Sequence, residues 1–534
     1  MEIKNLDHLG LVAGLIDELG LVELTNERIE SHCLEHVSAG QVVKAMILNA
    51  LGFLSAPLYL FSEFFESKAV SHLLGEGVEA HHLNDDRLGR VLDDLYQDGI
   101  TPFFVQVALQ AVERFGIDPQ QRHVDATSFS VEGKYQSSSS ASEDPTPIRL
   151  CHGYSRDHRP DLKQFLMTLV CSADGGVPLW LKVASGNEND TKQFAQVLKS
   201  FGETWTDEGL FVMDAAFYSE KNLQQVGSME WLSRVPLRLK AAQDLVQSDV
   251  TTLEEVAGEH QDYRMWEVEQ EYGGVSQRWI LIESQTRKAD AALWGPELEK
   301  LERRLNREFK ALTRQVFACK PDAMDALLRF EEGLEVHQLQ VSVEAVQAKR
   351  TRGRPSQSKE ANSIQGYRVQ GTLVRTAAAE DQFRSRHSRF ILATNQLDKT
   401  VLPAHKCLRE YKRQQTVERG FRFLKDPLFF ASSVFVKKPQ RVEALALIMA
   451  LTLLIYTLAE RKLRQALETQ KQMVNDQRKQ PTAKPTFRWI MQKFQGIHWI
   501  NRDGQQQISN LNDERQLIIR LFGAPVECYY NPSS

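Results

Sequence analysis

Three carboxylates stand out by the company they keep. In "RHVDATSFSV", strand alternation sends His123, Asp125 and Thr127 to one face and Val124 and Ala126 to the other. Asp is a poor strand residue, and burying an unpaired carboxylate is costly, so Asp125 needs a partner there. "GLFVMDAAF" repeats the situation, with Asp214 closing a run whose other residues favour burial. Such a position is either a cap for the following turn or the functional edge of a strand. The third acid is Glu418, set among Lys412, Arg413, Arg419, Arg422 and Lys425 in "YKRQQTVERGFRFLKDP". Alone, that helix reads as a surface of i,i+4 ion pairs, each contributing about 0.3–0.5 kcal/mol. Taken together, three carboxylates on adjacent elements suit hard divalent cations. Magnesium takes carboxylates, waters and substrate phosphate. Two such ions about 4 Å apart can activate the attacking oxygen and stabilise the leaving oxygen of a phosphoryl displacement.

The elements around these acids decide whether they meet. From residue 121 the order reads strand, strand, strand, helix, strand, helix, strand. "KQFLMTLVCSADGGVPLWLKVA" is a hairpin turning at Asp174-Gly175-Gly176, "NDTKQFAQVLKSF" a helix, "SEKNLQQVG" a short helix and "EWLSRVP" a strand ended by Pro236. A three-stranded meander followed by alternating helices and strands is the order of an RNase H-like α/β core. In it the first and fourth strands are neighbours, which brings Asp125 to Asp214. On the Glu418 helix, residues at −7, −4, +4 and +7 share its face, giving Tyr411, Gln414, Arg422 and Lys425. Val417, Phe421 and Leu424 form the stripe facing the core.

The rest of the chain falls around this core. Residues 1–115 read as an all-α N-terminal domain, with caps expected at Ser38 and Asn84. The core occupies 116–236 and resumes at 389–465 with the Glu418 helix. Between them, 237–388 reads as a mixed α/β insertion holding the strands "YRMWEVEQEY" and "SQRWILIES" and a long charged helix. Residues 466–534 read as a linker and a small C-terminal region. "ALALIMALTLLIYTLA", Ala444 to Ala459, is shorter than the roughly 20 apolar residues of a membrane span, so a buried core helix is expected and no membrane. Six scattered cysteines without C-x-x-C spacing fit a reducing cytoplasm. The start of the chain shows no basic flank before an apolar run, so no signal peptide is expected. The net charge of −5 argues against a uniformly basic surface, yet bases gather at Lys349–Arg354, Lys406–Lys425, Lys437–Arg441 and Arg461–Arg488. Local patches of that kind matter more to phosphate binding than the total.

With these residues in view the chain resembles the DDE transposases of bacterial insertion sequences, in the branch whose glutamate lies in a Tyr-x2-Arg-x3-Glu-x6-Lys motif. "HVDAT", "FVMDAAF" and "YKRQQTVERGFRFLK" carry the resemblance, and "GYSRDHRPDLKQ" before the second strand adds to it. Tyr411, Glu418 and Lys425 match the spacing, but Gln414 stands where the arginine is expected, leaving Arg413 or Arg422 to replace it. The resemblance implies a transposase that binds the ends of its mobile element. Water frees a 3′-hydroxyl, which then joins target DNA at the same site. It implies Asp125, Asp214 and Glu418 as catalytic ligands of two Mg2+ ions, with Mn2+ able to substitute. Tyr411, Arg413, Arg422 and Lys425 would lie on DNA. It further implies double-stranded DNA as partner, a homodimer on that DNA, and a bacterial cytoplasmic, nucleoid-associated location.

Three alternatives stay open: a nuclease of this fold without strand transfer, a tyrosine recombinase with Tyr411 as nucleophile, and an inactive DNA-binding relative. "RGRP", Arg352 to Pro355, resembles the core of a minor-groove hook, and "VFVKKPQR" is a further basic stretch. His123 reads as a hydrogen-bonded strand histidine rather than a ligand.

Overall fold

The computed structural model describes the chain except residues 31–34, 54–59, 133–134, 136–145, 154–158, 189, 206–207, 249–252, 256–260, 348–363, 427–437 and 532–534. "RGRP", Pro427, and parts of "GYSRDHRPDLKQ" and "VFVKKPQR" lie outside the described residues, as does the Val417 side chain.

A large mixed sheet organises the molecule. Its strands, in chain order, are β1 (Gln121–Val131), β2 (Lys163–Ser172), β3 (Pro178–Ser185), β4 (Leu210–Met213), β5 (Trp231–Arg234), β6 (Glu254–Glu255), β7 (Tyr263–Tyr272), β8 (Val275–Ser284) and β9 (Arg389–Thr394). They lie in the order β3-β2-β1-β4-β5-β9-β8-β7-β6. β1, β2 and β3 form the expected antiparallel meander, and β1, β4 and β5 run parallel. The helices that matter here are α1 (Asp190–Thr204), α2 (Glu220–Val226), α3 (Ala404–Arg413), α4 (Gln415–Leu424) and α5 (Pro439–Thr469). The α1 and α2 crossovers make the parallel steps possible, as parallel neighbours require. The strand order is that of the RNase H-like core read from the sequence. The meander turns tightly because Gly175 and Gly176 both take positive φ, 86° and 70°.

The segment read as a separate insertion, 237–388, divides differently. β7 and β8 pair as a hairpin, and β8 pairs with β9, so this part widens the main sheet. The reason is burial: every residue from Gln277 to Ser284 is buried, which requires a strand on each side and layers on both faces. The remainder forms a satellite of helices Ala291–Arg314, Lys320–Glu331 and Ala377–His387 with the hairpin His337–Gln347/Ile364–Arg375. It has its own small cores around Phe309, Leu327 and Val369, and around Trp294, Leu298 and Val336.

The N-terminal region is helical with one addition, the strand Glu2–Asn5, which pairs antiparallel with His498–Arg502 near the other end of the chain. Ser38 caps its helix in a reciprocal box with Gln41, and Asn84 accepts the Arg87 N–H. Gly14 lets two helices touch: a Cβ there would sit 2.5 Å from the Pro525 carbonyl oxygen on helix Ala524–Tyr530. The Tyr530 hydroxyl then donates to the Asp7 carbonyl at 2.6 Å.

α5 runs through the middle of the protein. By length and composition it is long and apolar enough to cross a membrane, but its most apolar window is 83% buried inside the fold. It serves as the core helix expected from Ala444–Ala459. Two of its arginines, Arg441 and Arg461, tie the layers together. Arg441 forks onto Asp93 at 2.8 and 2.7 Å. Arg461 forks onto Asp174 in the β2–β3 turn and reaches the Phe115 and Gly116 carbonyls at the end of a helix.

Also on α5, Glu443 accepts the Ile148 N–H at 2.7 Å, and burial pushes its carboxyl up to about 7. A folded-state value above the unfolded one means the native protein holds this proton more tightly. The associated stability is full in acid and lost as pH rises through 7. The Glu443→Gln protein should therefore gain stability relative to wild type as pH climbs from about 5 to about 8. Parallel urea titrations measure the gap, and a gap that stays constant across the range would refute the assignment.

Candidate active site

The site begins with the register of two strands. β1 and β4 pair as Gln121↔Leu210, Arg122↔Phe211, His123↔Val212 and Val124↔Met213. The ladder ends one residue before Asp125 and Asp214, and continuing it by one step would set the two acids side by side. β4 and β5 pair through Met213↔Ser233, so the same step would set Asp214 beside Arg234. Alternation puts His123, Asp125, Val212, Leu232 and Arg234 on one face, which α3 covers through Cys407 and Leu408.

Asp125 is buried, and its Oδ1 accepts the N–H of Ala126 at 2.8 Å. The Asp214 Oδ1 accepts the Ala216 N–H at 3.0 Å, and its carbonyl accepts the Ser233 hydroxyl at 2.9 Å. Asp214 thus shapes the turn after β4 and stands at the sheet edge, so both readings of this residue hold at once.

Glu418 arrives on a broken helix. The sequence pattern continues through 404–424, yet the structure divides it into α3 and α4 at Gln414, which is buried with φ −55° and ψ −28°. The break changes the faces. Tyr411, Gln414 and Glu418 line one groove of about 810 Å³ with Arg234 and Phe390. Arg413, Arg419 and Arg422 line another, of about 1080 Å³, with Lys484 and Arg488. Arg422 therefore does not share Glu418's groove, as helical spacing had suggested. Lys425 instead lays its ammonium 5.6 Å from the Phe129 ring on β1. Phe421 and Leu424 are buried as expected, and α4 packs on β1. Glu418 is exposed and forms no ion pair among the described residues, so the i,i+4 pair with Arg422 is not made.

Tyr411 lines this groove with Arg234 and Glu418. Burial holds its hydroxyl above the ordinary tyrosine range, with Arg234 opposing and Asp214 and Glu418 adding to the rise.

Three carboxylates with no thiolate or imidazole would suit a hard divalent cation, but among the described residues no three acid, His or Cys side chains converge on one point. His123 is fully buried, and neither ring nitrogen has a hydrogen-bond partner among the described residues, contrary to the hydrogen-bonded reading. Burial, helped by Arg413, pushes it down to about 4, so it stays neutral at pH 7. Sequence reasoning missed two residues. One is Arg234, whose only signal was a charge closing a buried strand. The other is Glu410, a fully buried acid that ion-pairs with Arg409 at 2.9 Å and Arg413 at 3.2 Å.

Two protein families match this chain. Residues 118–455 match the family model described as the transposase DDE domain, and residues 1–109 match one described as a domain of unknown function, DUF4277. The first match covers more than half of the chain, and the chain belongs to the transposase DDE family. No curated protein matches. Among solved structures, a cryo-EM structure of the piggyBac transposase synaptic complex with hairpin DNA is similar at a TM-score of 0.38. Its identity to this chain is 9%, and the match covers 98% of this chain and 82% of that one.

Ser233 is fully buried and holds the Asp214 main chain by its hydroxyl. Ser233→Ala should cost about 1 kcal/mol of stability by urea denaturation. A variant as stable as wild type would show that this bond does not anchor the turn.

Proposed function

We propose that this transposase binds the ends of its mobile element as a dimer on double-stranded DNA, cleaves a strand there, and joins the freed 3′-hydroxyl to target DNA. The observation that carries the reading is the strand pairing that runs up to Val124↔Met213, the residues just before Asp125 and Asp214, with Glu418 in the groove that Tyr411 and Arg234 line. The family uses divalent metal ions. Here Asp125, Asp214 and Glu418 would hold Mg2+, or Mn2+ in its place, which when bound activates the attacking oxygen and stabilises the leaving one. The rest is the protein's work. Tyr411 and Lys425 would lie along the DNA near the acids, with Arg413 and Arg422 on the other side of α4. Cations of this kind position a phosphate backbone without reading its sequence. The reading places the protein where its DNA is, in a bacterial cytoplasm on the nucleoid.

The test uses the DNA flanking the gene, magnesium, and a pre-cleaved end bearing a free 3′-hydroxyl. Asp125→Ala, Asp214→Ala and Glu418→Ala should each lower cleavage on the order of a thousandfold or more while leaving DNA binding intact. Full cleavage by any one variant removes that residue from the site. Cleavage without joining of the pre-cleaved end makes the protein a nuclease.

A further inference from the structure

The arginine of the family motif is absent at Gln414, and the structure offers three candidates to replace it. Arg413 is engaged elsewhere: it pairs with Glu410 at 3.2 Å, reaches Gln121 at 3.5 Å, and lines the groove on the far side of α4. Arg422 lines that far groove as well. Arg234 does not. It ends β5 one register step beyond Ser233, on the same face as Asp125 and next in line after Asp214. Continued one step past their last paired residues, three parallel strands would set Asp125, Asp214 and Arg234 in a row.

Arg234 is also prepared for an anion. It is exposed, and among the described residues it has no carboxylate partner. Its guanidinium lies 5.5 Å from the Phe390 ring centroid, and that ring lies 6.3 Å from the Tyr411 ring in the same groove. The ring orients the fork without neutralising it. Its groove neighbour Lys412 is treated alike, with its ammonium 4.2 Å from the Tyr263 ring. A cation held by rings keeps its charge for a ligand. A planar guanidinium beside a carboxylate row is suited to gripping a phosphate by two parallel hydrogen bonds.

We propose that Arg234 supplies the phosphate-gripping guanidinium of this active site, in place of the arginine absent at position 414, and that Phe390 is its positioning residue. The assignment rests on the DNA-cleaving reading above. The ligand is a DNA backbone phosphate next to the bond held by the acids.

The experiment uses the full chain and a 30-base-pair duplex (roughly three helical turns) taken from the DNA flanking the gene. Binding is measured in EDTA over a range of salt, so that no cleavage intervenes. Arg234→Gln should weaken binding about tenfold and reduce the slope of log affinity against log salt by about one. Arg234→Lys should keep the slope, because the charge remains, while losing part of the affinity with the second hydrogen bond. Phe390→Leu should lower affinity without changing the slope. Unfolding midpoints of the variants near wild type confirm that the fold is intact, as expected at an exposed position. A wild-type slope and affinity in Arg234→Gln would overturn the proposal, as would Arg413→Gln changing the slope when Arg234→Gln does not. Magnesium-dependent cleavage by wild type is scored separately. Its absence would sink the transposase chemistry without touching the phosphate contact, whereas an unchanged Arg234→Gln slope would sink the contact alone.

Discussion

The register between β1 and β4 is the constraint on which the site depends. A strand has a side-chain period of two, so a one-residue slip would turn a whole strand's face over and part Asp125 from Asp214. The opposite face of the sheet holds the register. Arg122 lies 4.8 Å from the Phe201 ring on α1 and 5.2 Å from the Phe211 ring on β4, and its Nε donates to the Pro119 carbonyl. Gly209 comes so close to the start of β1 that a Cβ would lie 2.6 Å from the Gln120 oxygen. The Leu210 N–H binds that same oxygen at 2.9 Å. A glycine, an arginine wedge and one hydrogen bond thus determine where two carboxylates stand on the other side of the sheet.

The break at Gln414 then sorts charge. An unbroken helix would carry acids and bases round one cylinder. Two short helices instead turn Glu418 toward the groove with Tyr411 and Arg234, and Arg413, Arg419 and Arg422 toward the other. Glu410, buried on α3, fixes Arg413 on that second side. The acids that would bind metal and the bases that would follow a backbone lie on either side of one helix, close but not paired. Pairing would cancel both charges and leave neither available to a ligand.

Much of the fold is legible in local sequence. The strand–helix order, the hairpin at Gly175-Gly176, the caps at Ser38 and Asn84 and the core role of Ala444–Ala459 all follow from patterns in residues close together in the chain. The features that escape a sequence reading depend on distant partners. Nothing near Gln414 breaks helical periodicity, since no glycine or proline stands there; the packing of α3 and α4 onto different strands makes the break. "SQRWILIES" is legible as a strand, but its pairing with β9 involves residues more than a hundred positions away. Arg234 has the same signature as Asp214, a charge ending a buried strand, and escapes notice because a cation there suggests no chemistry until its neighbours are known. The carboxylates are legible because burying an acid in a strand is costly enough to demand a reason.

The contacts between the two ends of the chain bear on its synthesis. Helix Leu9–Leu19 packs against Ala524–Tyr530, and Glu2–Asn5 hydrogen-bonds with His498–Arg502. These partners are separated by about five hundred residues, and a ribosome adds roughly 5–20 residues per second. The first helices made must therefore wait some tens of seconds for the segments that cover their apolar faces. Over that interval the N-terminal layer is an open half-core, a natural client for a chaperone. Without Ala524–Tyr530 that face of helix Leu9–Leu19 would stand open to solvent.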